Sequence, residues 1–139
     1  MQHLTSLYDI TPANVAEILD LTAELKGRLA KGERPPILQG HTLALIFEKP
    51  SLRTRISFEA AMLQLGGGSI FMSSADAGLH GRESLADVAR VLGSYTDAIV
   101  MRTFSQQLIE DYADLAACPV INGLSDTLHP CQALTDIFT

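Results

Sequence analysis

The chain has 139 residues, of which 47% are hydrophobic and 19% charged, with a formal net charge of −6. That length supports one domain with a sizeable core rather than two comfortable ones, and the composition excludes a disordered chain. The acidic balance argues against nucleic acid or an anionic membrane as partner, although local basic groups can still bind a phosphate.

A first helix is expected from Thr11, an N-cap, and Pro12, placed where a missing N–H costs least. Val15, Ile18, Leu19, Thr22, Leu25 and Leu29 follow at helical spacing, Gly32 ends the run, and the helix is expected to pack over a sheet. Thr42 to Phe47 is apolar on both faces, the pattern of a strand covered by helices. After a short turn at Glu48-Lys49-Pro50, Ser51 opens a second helix. Its two apolar sets, Ile56-Ala60-Leu63 and Phe58-Met62-Leu65, predict that most of its circumference is buried. Gly66-Gly67-Gly68 reads as termination and turn, because no helix follows at once, and Ser69 to Met72 is a second strand.

Ser73 to Arg82 is a loop of small and polar residues. Ser84 caps a third helix, with Asp87 at the capping-box position, an inner stripe of Leu85, Val88, Ala89 and Leu92, and an end at or just after Gly93. Ala98 to Met101 forms a third strand that ends directly at Arg102; Ser105 caps a fourth helix; and Pro119 to Ile121 is a short fourth strand. The loop from Asn122 to Thr127 leads to a last helix opening at His129-Pro130-Cys131-Gln132. The alternation implies an α/β fold: an open, mainly parallel sheet covered by helices in a three-layer sandwich, formed by residues 1–139 as one domain.

Ser51–Arg55, Arg102 and His129–Gln132 all fall just beyond expected C-terminal strand ends, the edge where open α/β sheets bind ligands. Ser51 and Thr54 hydroxyls, helix-start N–H groups and the Arg53 and Arg55 guanidiniums have the chemistry of a phosphate cradle. The plainer reading of Arg55 is an ion pair with Glu59 one turn on. Arg102, His129 and Gln132 can donate hydrogen bonds to a carbonyl oxygen that gains charge. Neither cysteine has an activating partner or a metal-ligand spacing with the histidines; Cys118 reads as a small buried side chain, and both suit a reducing cytoplasm. No run of residues approaches a membrane span, and no signal peptide follows Met1.

FEKPSLRTRISFE at 47–59, with MRTF at 101–104 and HPCQ at 129–132, resembles the N-terminal half of an ornithine carbamoyltransferase. The resemblance implies carbamoyl phosphate and L-ornithine as substrates, citrulline and phosphate as products, and no metal or organic cofactor. It implies that Ser51, Leu52, Arg53 and Thr54 hold the phosphate with Arg55 supporting the loop. Arg102, His129 and Gln132 would then act at the carbamoyl end, with Pro130 and Cys131 beside them. It further implies a homotrimer, or a multiple of trimers, in which Gly78, His80 and Arg82 contact a neighbouring subunit. Leu52 departs from the common threonine, and Gly78 from a common glutamine; a backbone contact survives the first change. A second, ornithine-binding domain is expected outside these residues. The alternatives are aspartate or another amine as acceptor, or a non-enzymatic phosphate-metabolite or assembly module.

Overall fold

The computed structural model describes residues 3–79, 81 and 83–139. Four parallel strands, β1 (Thr42–Phe47), β2 (Gly68–Ser73), β3 (Ala98–Arg102) and β4 (Val120–Leu124), form one sheet in the order β2-β1-β3-β4. The helices are α1 (Pro12–Ala30), α2 (Leu52–Gln64), α3 (Leu85–Tyr95), α4 (Gln106–Leu115) and α5 (Pro130–Phe138), after a single 3-10 turn at Leu7–Asp9. The parallel α/β sandwich expected from the alternating pattern is therefore the fold.

Side chains of β1 divide between two cores. Leu43, Leu45 and Phe47 pack with Met62 and Phe58 of α2, whereas Ala44 and Ile46 join Val88 and Ala89 of α3 and Ile109 and Tyr112 of α4. Burial on both faces is what an uninterrupted apolar strand requires. Strand order reverses between β1 and β3, so the crevice for a ligand opens where the loops after these two strands diverge.

Local chemistry explains the helix starts. Oxygens of Thr11, Ser51, Ser84 and Ser105 each accept a backbone N–H of the first turn, and Thr11 forms a capping box with Asn14. Two details, in α2 and β4, differ from the sequence-based expectation. Helix α1 contributes no buried residue and packs through Val15 and Ile18 in one cluster with Leu134 of α5 and Ile121 of β4. Helix α2 buries only Met62; Ile56 is 57% and Leu63 70% exposed, because one stripe suffices to cover β1 and the edge strand β2. Helix α3 ends at Tyr95, in the turn after Gly93 as expected, and a Cβ at Gly93 would stand 2.9 Å from the Ala117 backbone nitrogen. Strand β4 continues three residues beyond Ile121: Asn122 pairs with Met101 and Leu124 with Arg102 across a register shift.

That extension depends on the N-terminal segment. Leu4 bridges Ile121 in parallel, its N–H donating to Val120 O at 2.8 Å and its carbonyl accepting from Asn122 N–H at 2.9 Å. The buried Asn122 amide also donates to Thr5 O and to Gln106 Oε1.

Candidate functional site

Helix α2 begins one residue after the chain leaves the Pro50 turn, so its unpartnered N–H groups face the sheet's C-terminal edge. Ser51 Oγ accepts from Thr54 N–H at 3.3 Å and donates to Thr54 Oγ1 at 3.0 Å. From the end of β3, Arg102 reaches the same place: its Nη1 donates to Thr54 Oγ1 at 3.5 Å, and its buried Nε has no hydrogen-bond partner among the described residues. Two segments that are far apart in sequence thus meet.

The third segment arrives from β4. His129 is the N-cap of α5, and its Nδ1 accepts the Gln132 N–H at 3.4 Å. An accepting Nδ1 leaves the ring proton on Nε2, a donor. Burial, reinforced by the Arg102 charge and opposed by Asp136, holds the His129 pKa below its ordinary value, so the ring is neutral at neutral pH. Pro130 fills the first position of α5 and is buried. Burial pushes the Cys131 thiol up to about 11, which removes it as a nucleophile, and its Sγ contacts Asn122 O at 3.5 Å.

These residues enclose an open cavity of about 460 Å³ lined by Ser51, Arg53, Thr54, Arg102, His129, Cys131 and Gln132. Ser57, Phe58, Leu124 and Thr135 complete its wall. Ser57 and Phe58 lie one turn beyond Arg53 and Thr54, and Thr135 one turn beyond Gln132, so helical spacing would have found them. Leu124 carried no such signal; its φ of +153° is rare for a residue with a Cβ, a strained geometry kept at the cavity wall.

No carboxylate lines this cavity. Neither Arg53 nor Arg102 has an ion-pair partner among the described residues. Two guanidiniums without an acidic partner among the described residues, two hydroxyls and a helix start have the chemistry to receive a multiply charged oxyanion. A second cavity of about 640 Å³ is lined by Glu48, Ser74, Leu79, Phe104 and Asp111 among others. Among the described residues, no group of three or more His, Cys, Asp or Glu could hold a metal ion.

Three sequence candidates stand outside the wall: the buried Pro130, Arg55 and the Leu52 side chain. Arg55 donates from Nε to Glu59 Oε1 at 3.1 Å and lies 3.7 Å from the Phe71 ring centroid, so it braces α2 against β2. The Leu52 side chain is 78% exposed, leaving its backbone N–H as the group available at the helix start. Gly78 sits on a turn at φ +67°, where any side chain would be strained; His80 and Arg82 lie outside the described residues.

Residues 2–139 match the family model described as the carbamoyl-P binding domain of aspartate/ornithine carbamoyltransferase. The chain is 50% identical over 134 residues to an ornithine carbamoyltransferase of Anoxybacillus flavithermus, covering 96% of this chain and 43% of that protein. The ornithine carbamoyltransferase structure from Pyrococcus furiosus is similar with a TM-score of 0.95 and 45% identity, covering 99% of this chain and 44% of that one. The catalytic subunit of M. jannaschii aspartate transcarbamoylase is similar with a TM-score of 0.90 and 36% identity, covering 99% and 46%. The chain thus spans less than half the length of these relatives.

Proposed function

This chain belongs to the aspartate/ornithine carbamoyltransferase family as its carbamoyl-phosphate-binding domain, and we propose that in the complete protein it serves transfer of the carbamoyl group to L-ornithine. The observation that carries the reading is the convergence of Ser51, Arg53, Thr54, Arg102, His129 and Gln132 on one carboxylate-free cavity.

In this reading the phosphate end sits at the start of α2. Backbone N–H groups from Leu52 onward, the Ser51 and Thr54 hydroxyls and the Arg53 guanidinium supply its donors, while Arg55 steadies the helix from behind. Arg102 and the Nε2–H of neutral His129 donate to the carbamoyl oxygen, and Gln132 orients the amide end. The neutral side-chain amine of ornithine attacks the carbamoyl carbon. A C–N bond forms, the carbonyl π electrons move onto oxygen, and their return expels phosphate as the C–O bond breaks. The amine proton leaves with phosphate or solvent, and citrulline remains. Catalysis then rests on orientation and on donors aimed at the developing oxyanion, with no protein nucleophile.

Ornithine-binding groups are assigned to a second domain outside these residues, and the assembly to a homotrimer in which the segment 78–84 meets a neighbour. Aspartate as acceptor is the second reading, motivated by similarity to the aspartate transcarbamoylase subunit. Citrulline formation by the complete protein, run against a panel of ornithine, aspartate and other amines, tests both readings. Ornithine-dependent turnover supports the first, aspartate-dependent turnover replaces it with the second, and no carbamoyl transfer to any amine removes both. The 139-residue chain alone is expected to take up carbamoyl phosphate or phosphate weakly and to form no citrulline.

A further inference from the structure

We propose that Lys49 and Asp126 are positioning residues of this cavity, which tie its three loops together through Phe104, and that Lys49 is not itself an anion ligand. The inference rests on the functional reading above and adds to it a residue whose sequence position would suggest a direct phosphate contact, two places before the Ser51 cap.

The tie is a closed circuit. Lys49 Nζ is paired with the Asp126 carboxylate and lies 4.7 Å from the Phe104 ring centroid. The Phe104 N–H donates to Glu48 Oε2 at 2.8 Å, and the Phe104 carbonyl accepts from the Asp126 N–H at 3.0 Å. Glu48 N–H donates to Arg102 O at 2.8 Å, and Thr103 N–H to Leu124 O at 2.9 Å, closing the rungs beneath. Glu48 and Lys49 follow β1, Phe104 follows β3 and Asp126 follows β4. The circuit therefore joins the loops that carry Ser51, Arg102 and His129.

Its chemistry opposes the ligand role. The Lys49 ammonium already has a carboxylate and a ring face, its side chain is only 19% exposed, and Lys49 is absent from the cavity wall. An isolated surface ion pair does little. Here the pair instead joins two loops, and a cradle that must place donors on a small ligand is sensitive to shifts of an ångström.

The test compares Lys49→Met, Asp126→Asn, the double variant and Lys49→Arg in the complete protein. Inorganic phosphate and carbamoyl phosphate affinities are read by calorimetry, and amide exchange at Phe104 and Asp126 by NMR. Each neutralising single variant is expected to weaken both ligands about ten- to a hundredfold. The double variant should be no worse than either single one, exchange at both amides should quicken, and Lys49→Arg should restore most of the affinity. Loss of affinity in Lys49→Met together with retained or tighter binding in Asp126→Asn would overturn the proposal and make Lys49 a ligand. Unchanged exchange in both singles would overturn the tie itself. Absence of uptake by the unmodified protein would instead overturn the functional reading, and the positioning role with it.

Discussion

The two sides of the sheet are completed to different degrees. Between the sheet and α3 and α4, Ile99, Met101, Ile109, Tyr112 and Val120 are all 0% exposed, and burial pushes the Tyr112 hydroxyl up to about 12. On the other side α1 buries nothing and α2 buries only Met62, and the open cavity at the sheet's C-terminal edge holds two arginines without acidic partners among the described residues. The first side is closed by the chain's own side chains and supplies rigidity. The second buries Leu45 and Val100 but leaves an apolar stripe of α2 and positive charge exposed. Stability and binding should therefore separate by side.

The sharpest way to break that separation is Ile109→Ala. A cavity in the closed core is expected to cost about 2–5 kcal/mol of stability in urea unfolding, with phosphate affinity of the folded molecules unchanged. Arg102→Ala should behave in the opposite way. Carbamoyl transfer by the complete protein should fall about 10²–10³-fold, while stability holds or rises because a buried nitrogen without a partner is removed. A variant that lost stability and turnover in proportion would erase the distinction between the two sides.

Arg55→Gln is a smaller and more discriminating change. With Glu59 and the Phe71 ring as its partners, its loss should cost about 0.5–1.5 kcal/mol in thermal unfolding. Anion affinity should change by less than about threefold, the size of a small indirect effect. A hundredfold loss would place Arg55 back among the phosphate ligands.

The smallest effect concerns protonation. Because the folded-state pKa of His129 lies below its ordinary 6.5, the unfolded chain takes up that proton first as pH falls. The associated stability is complete above about pH 6.5 and is lost as pH falls toward the folded-state pKa, with no further loss below it. An NMR titration should give His129 a midpoint below its ordinary 6.5. His129→Gln should flatten the corresponding segment of the stability profile.

What could be read in the sequence followed from local chemistry. Thr11, Ser51, Ser84 and Ser105 were recognisable as caps because a cap is satisfied within three residues of itself. Ser51, Arg102 and His129 were recognisable as neighbours around one cavity because each falls at a strand's C-terminal end, and parallel strands bring such positions to one edge. The end of β4 was not recognisable. Asn122 and Gly123 break the apolar pattern, and what holds them is distant: Leu4 and Thr5 from the N-terminus, and Met101 from β3. A Cβ at Gly123 would come within 2.9 Å of Val100 Cγ1, a packing demand invisible in composition. The exposure of α2 was hidden for a related reason, since its two apolar stripes are equivalent in sequence until the sheet selects one.

Calorimetric titration of carbamoyl phosphate into the complete protein, beside its Arg53→Ala and Arg102→Ala variants, tests the shared anion site most directly. One saturable site, weakened at least about tenfold by either substitution in a protein that remains folded, is the predicted result. Equal uptake by all three proteins would show that the ligand sits elsewhere and that the cavity at the sheet edge is not its receptor.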